Sequence, residues 1–111
     1  MKKVEAIIGP IQLRGVQDAL IHEGIDFLTI SDVKSCGGEG HMEKYRGAEY
    51  VVDFLPKIKI EVVLEDRLAA RVAQIIKTNV GVRCPGDQDV RLLPVEDVIR
   101  IRTGQHGAAA V

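Results

Sequence analysis

Arg100 and Arg102 lie two residues apart in Val98-Ile99-Arg100-Ile101-Arg102-Thr103-Gly104. On an extended strand such a pair projects to one face, where two guanidinium forks suit a phosphate. The alternative is a pair of surface arginines matched to acidic neighbours. A second segment, Cys36-Gly37-Gly38-Glu39-Gly40-His41, has the glycines that let a backbone approach an anion closely. It is neither a dinucleotide fingerprint nor a Walker motif. Pro85-Gly86-Asp87-Gln88-Asp89 reads as a turn, with Pro and Gly in their usual turn roles. In Tyr45-Arg46-Gly47-Ala48-Glu49-Tyr50, a tyrosine flanked by charge offers a contact or modification site; the alternative is a solvated polar loop.

These residues fit binding better than catalysis. Asp87, Asp89, His41, Cys36 and Cys84 are the candidate nucleophiles and bases, and they form no recognisable constellation. A small phosphatase is the enzymatic alternative. The two cysteines and three histidines lack metal-ligand spacing. A net charge of -1 supplies no basic field for nucleic acid. No apolar run approaches the roughly 20 residues of a transmembrane helix, and the start at Met1-Lys2-Lys3 does not read as a secretory signal. The expected compartment is therefore the cytoplasm, with reduced thiols.

The elements that must position these residues follow from periodicity. Lys3 to Ile8 has Val4, Ala6 and Ile8 at period two and reads as a strand ended by Gly9-Pro10. Leu13, Val16 and Leu20 fall at helical spacing within a helix expected over Ile11 to Glu23, with Gly24 as its stop. Ile25 to Val33 returns to strand character. Ser35 to about Tyr50 is polar and glycine-rich, and a loop of that length in a small domain is usually functional. Pro56 to Leu64 alternates, with Ile58, Ile60 and Val62 facing one way and Lys57, Lys59 and Glu61 the other. Asp66 is placed to begin a helix running to about Thr78. Asn79 to Asp89 is a second loop, Val90 to Leu93 a strand, Pro94 to Asp97 a turn, and Val98 to Arg102 a last strand.

Two βαβ units in tandem predict one α+β domain, a ferredoxin-like sandwich spanning 1–111. With 111 residues and only 4% aromatics, the core must come from Ile, Val and Leu. Helices cover one sheet face. The other has no cover within the chain, and a half-covered apolar sheet predicts sheets packing together in an oligomer.

In this order and register the pieces resemble the PII signalling proteins, trimeric regulators of nitrogen and carbon metabolism. The resemblance runs from Met1 to about Gly104. Its most specific parts are Tyr45 to Glu61 and Val98 to Gly104. It implies a homotrimer with a T-loop at about 36–54, a B-loop at about 80–89, a tail at 103–111, and an adenine nucleotide in each inter-subunit cleft. Ile7, Thr29 and Val63 would line the adenine end. Cys36, Gly37 and Gly38 lie where the T-loop begins and the nucleotide passes. Gly86, Asp87 and Gln88 fall in the phosphate-cradling B-loop, and Arg100 and Arg102 of a neighbouring subunit would clamp the phosphates. Lys57, with Gly40, matches the effector site for 2-oxoglutarate. Tyr50 matches the tyrosine that many bacterial members have modified, and Arg46 lies near it on the loop that contacts target proteins. Ala48 replaces the serine that other members have phosphorylated.

The departures carry information too. The usual T-loop beginning, Phe-Gly-Arg-Gln-Lys-Gly-His, is here Cys-Gly-Gly-Glu-Gly-His. Glu39 replaces the glutamine that helps hold Mg²⁺ and 2-oxoglutarate. The B-loop Gly-Asp-Gly-Lys becomes Gly86-Asp87-Gln88-Asp89. An acid in place of a lysine beside a triphosphate turns attraction into repulsion. Near a protein surface such a charge pair at ~4 Å is worth up to about 4 kcal/mol. The expectation is that ADP or AMP is favoured and ATP weakened, with bicarbonate or 2-oxoglutarate as effector. A divergent branch associated with carboxysomes is similar in using ADP or AMP with bicarbonate; the alternative is a standard member sensing ATP, ADP and 2-oxoglutarate. Cys36 and Cys84 would border the cleft, either as separate thiols or as a redox pair.

Overall fold

Alternation in the two central strands sends apolar side chains toward the helices and charged ones to the opposite face, and this organises the sheet. The computed structural model describes residues 1–25, 27–36, 54–80 and 89–111. Within them lie β1 (Lys2–Ile8), a 3-10 turn (Pro10–Gln12), α1 (Leu13–His22), β2 (Thr29–Ser35), β3 (Leu55–Leu64), α2 (Asp66–Val80), β4 (Val90–Pro94) and a closing 3-10 turn (Gly107–Ala110). The strands form one antiparallel sheet in the order β2-β3-β1-β4. This is the expected ferredoxin-like arrangement.

Val4, Ala6 and Ile8 of β1 and Ile58, Ile60 and Leu64 of β3 are buried together with Val16 and Leu20 of α1 and Ala69, Val72 and Ile76 of α2. Phe27 and Phe54 are both exposed, so this core is aliphatic, as the composition required. Local chemistry sets the helix ends. Gly24 has φ of 89°, its N–H donates to the Ile21 carbonyl, and the N–H of Ile25 donates to Leu20. These are the two hydrogen bonds of a Schellman cap, which satisfies carbonyls that the end of α1 would leave open. At the other end, Gln12 accepts the Gly9 N–H and donates from Nε2 to the Val80 carbonyl at 2.9 Å. One side chain thereby ties the turn before α1 to the end of α2. Asp66 opens α2 and pairs with the Met1 ammonium at 3.1 Å. That partner holds the Asp66 carboxyl below its ordinary pKa.

Several expectations change. The helix expected from Ile11 begins at Leu13, and Ile11 sits 89% exposed in the preceding 3-10 turn. The second strand starts at Thr29 rather than Ile25, because Ile25 is used in capping α1. The strand expected over Val98–Arg102 is absent: only an isolated antiparallel bridge joins Ile99 to His106. The chain turns back at Ile101–Thr103, closed by the Gly104 N–H on the Arg100 carbonyl and by Gly104 at φ 75°. The apolar alternation there does not mark burial, since Ile99 and Ile101 are exposed.

The uncovered face of the sheet also departs from expectation: it is charged rather than apolar. Lys3 and Glu5 of β1, Lys59 and Glu61 of β3 and Arg91 of β4 interlock across it. Among the described residues no helix is long and apolar enough to cross a membrane. Leu20→Ala, at a fully buried position in α1, should lower unfolding free energy by about 2–5 kcal/mol, whereas Ile21→Ala at the exposed neighbouring position should change it by about 0.5 kcal/mol or less; urea denaturation measures both.

Candidate functional site

Three of the residues assigned to a nucleotide converge. Thr29 at the start of β2, Val63 near the end of β3 and Arg100 in the C-terminal turn line one cavity of about 650 Å³. Phe27, Leu68 and Ile99 add apolar wall to it, and Glu61 adds a carboxylate. The β2–β3 register, which pairs Thr29 with Glu61, brings the start of one strand beside the end of the other. An apolar cavity with a few convergent polar groups is the usual form of a small-molecule site.

Ile7 lies elsewhere. It borders a second cavity of about 350 Å³, with Lys77 of α2 and Asp89 at the start of β4. The Ile7 N–H donates to the Asp89 carbonyl at 3.2 Å. One chain thus gathers three of the assigned residues at one cavity and places Ile7 at another, beside Asp89.

Arg100 and Arg102 do not share a strand face, because the segment between them turns. Arg100 Nη2 donates to the Ala110 carbonyl at 2.9 Å, while Arg102 lies exposed in the Ile101–Thr103 turn. Lys57, the residue expected at the effector site, is in β3 opposite Val33 and is buried, 3% exposed. Cys36 is exposed immediately after β2. Gly37, Gly38, Gly40, Arg46, Tyr50, Cys84, Gly86, Asp87 and Gln88 lie outside the described residues.

Asp89 is ion-paired. Arg91 donates to its Oδ2 from Nε at 3.2 Å and from Nη2 at 3.0 Å. The acid that replaces the expected lysine therefore has its own cation, which weakens the repulsion expected from it. Arg91 also reaches Glu5 at 3.5 Å. Glu5 lies directly opposite Glu61 across β1 and β3, a like-charge pairing that is unfavourable alone. Lys3 Nζ bridges the two carboxylates at 3.2 and 3.0 Å, and Lys59 does so at 3.5 and 3.8 Å. Hydrogen bonding from Lys3 holds the Glu5 carboxyl below its ordinary pKa against the opposing effect of desolvation. The bonds to Glu61 and then Glu5 raise the Lys3 ammonium. Lys3, Glu5 and Arg91 belong to no motif that points to a site. Their signal was period-two charge in Lys3-x-Glu5, Lys59-x-Glu61 and Asp89-x-Arg91.

An antiparallel ferredoxin-like sandwich with a cavity beside its C-terminal turn defines a small α+β binding domain. Residues 1–105 match the family model described as nitrogen regulatory protein P-II. The chain is 50% identical to the nitrogen regulatory protein P-II of Azospirillum brasilense and 46% identical to that of Rhodospirillum rubrum. It is 45% identical to nitrogen regulatory protein P-II 1 of Escherichia coli K12, and each of these three alignments covers the whole of both chains. The chain belongs to the P-II family of signal-transduction regulators.

The charge network sets a pH dependence. Glu5 has a lowered folded pKa, so its stabilisation is present above the ordinary carboxylate value and is lost as pH falls through the folded value. Lys3 has a raised folded pKa, so its stabilisation is present below the ordinary lysine value and is lost as pH rises through the folded one. Stability should therefore be flat between these limits as far as this network is concerned. Glu5→Gln should reduce the acid-side slope, measured as urea midpoints over a pH series.

Proposed function

We propose that this chain is a non-catalytic regulator that binds adenine nucleotide between subunits of a homotrimer. The observation that carries this reading is the gathering of Thr29, Val63 and Arg100 around one cavity while Ile7 and Asp89 border another. Each chain then supplies two half-sites, and a neighbouring copy completes each nucleotide cleft. The T-loop, about 36–54, transmits occupancy to a target protein, and Tyr50 and Arg46 are its contact or modification residues. The B-loop, about 80–89, with Gly86, Asp87 and Gln88, cradles phosphates beside Cys36, Gly37 and Gly38. The compartment is the cytoplasm.

ADP and AMP remain the favoured nucleotides, with ATP weakened. Asp89 contributes no positive charge to an outer phosphate, and its pairing with Arg91 moderates the penalty without replacing the missing lysine. The relatives' names favour nitrogen signalling as the output, and in that reading 2-oxoglutarate is the effector and Mg²⁺ accompanies ATP. Bicarbonate is the alternative effector, since Lys57 and Gly40 suffice for one small anion. Lys57 is buried, so an effector that uses it meets a side chain already held within the protein.

Light scattering should give about three times the mass of one chain, and a stable monomer at micromolar concentration would end the two-half-site reading. Calorimetry with AMP, ADP and Mg-ATP should show ADP or AMP bound at least as tightly as ATP. Asp89→Lys should improve ATP selectively, whereas Arg100→Ala should weaken ADP by about 1.5–3 kcal/mol, the value of one charge-assisted hydrogen bond. A strong wild-type preference for Mg-ATP would contradict the role given to Asp89. Repeating the titrations with 2-oxoglutarate and with bicarbonate separates the two effectors.

A further inference from the structure

The C-terminal segment folds back onto the arginine that the nucleotide needs. The Arg100 N–H donates to the Gln105 carbonyl at 2.8 Å, and the Gly107 N–H donates to the Val98 carbonyl at 3.1 Å. Asp97 Oδ1 accepts the N–H of Val98 and that of Gly107, each at 2.9 Å, so one carboxylate oxygen joins both arms of the turn. Gly104 and Gly107 adopt φ of 75° and 71°, which lets the chain reverse twice within a few residues. The reversal delivers Ala110 into the protein, where it is 4% exposed and its carbonyl accepts from Arg100 Nη2. Ala110 and Val111 line the same cavity as Thr29 and Val63.

We propose that Gln105–Val111 is an autoinhibitory latch on the nucleotide cleft. This rests on the nucleotide reading above and adds a regulatory element to it. A carbonyl carries partial negative charge, so Ala110 offers Arg100 a neutral stand-in for a phosphate oxygen. Apolar Ala110 and Val111 meanwhile form part of the wall of that cavity, so a nucleotide entering it meets the segment. Nucleotide binding must move the segment, exchanging a carbonyl acceptor for a fully charged one. That exchange favours the phosphate, because hydrogen bonds between two ions are stronger than those with one neutral partner. The latch therefore lowers affinity without abolishing it. It also couples cleft occupancy to the exposure of the C-terminal segment.

The test loosens the latch away from the cleft. Asp97→Ala removes the acceptor that joins the two arms. Gly107→Val forces a β-branched residue into φ of 71° at a position where an added Cβ meets nothing, so its effect comes from the backbone alone. ADP titrated by calorimetry should bind both variants about three- to tenfold more tightly than wild type. That is less than the full value of one charged hydrogen bond, because the guanidinium keeps other donors for the phosphate. In wild type, saturating ADP should also lower hydrogen-exchange protection of the Gly107 amide. Equal or weaker ADP binding in both variants overturns the latch and leaves the nucleotide reading standing. If ADP binds none of the three proteins, both are overturned.

Discussion

Glu5 and Glu61 face each other across the central strand pair, and the open face of the sheet depends on the cations that make this tolerable. The register that opposes them is the one that places Val4, Ala6 and Ile8 against the helices alongside Ile58 and Ile60. A one-residue slip would separate the acids but would turn the apolar set outward. Burial fixes the register, and the like-charge pair follows from it. Lys3 and Lys59, on the same face, then bridge both carboxylates. Arg91 extends the network from Glu5 to Asp89 at the border of the smaller cavity. The uncovered face is thus electrostatically satisfied within one chain. These six charged side chains can meet another subunit as mutually paired groups, whereas an unpaired charge taken into a contact has a high desolvation cost.

Strong periodicity made most of the fold legible. The alternation in β1 and β3, the apolar stripe of α2 and the stop at Gly24 each combine a pattern with a physical reason, and each has its counterpart in the structure. Expectations failed where a pattern was not tied to burial. Val98-Ile99-Arg100-Ile101-Arg102 alternates as well as β3 does, yet it makes one bridge and then turns. β4 ends at Pro94, a residue without an N–H to extend the ladder, and Gly104 supplies the reversal. Alternation describes which side chains share a face of an extended chain. It does not establish that another strand is there to pair with it.

The site was legible in part for a related reason. Thr29, Val63 and Arg100 are far apart in sequence, and their grouping came from family resemblance rather than from any local motif; the fold brings all three to one cavity. The two-arginine clamp was inferred from spacing, which assumed the strand that is absent. Residues 104–111 are mostly small and carry no periodic pattern that announces a fixed position. Their anchoring depends on Asp97 accepting an N–H ten residues away and on two glycines at positive φ, and neither feature has a periodic signature.

Asp89 shows how a single substitution changes meaning with its neighbours. Read alone, an acid in place of a lysine reverses the sign of the field at the outer phosphate. With Arg91 attached it presents a close ion pair, whose field falls off faster than that of a single charge and is further screened because both side chains are about half exposed. In the proposed site, attraction for a third phosphate would still be lost, since Arg91 is engaged by both Asp89 and Glu5. Active repulsion, however, requires that this engagement be broken. The proposed preference for ADP or AMP therefore rests more on a missing cation than on an added anion. That distinction separates Arg91 from Asp89 physically: removing the acid frees an arginine beside the smaller cavity, whereas removing the arginine leaves the acid uncompensated. The two changes should move nucleotide preference in opposite directions even though they act on one ion pair.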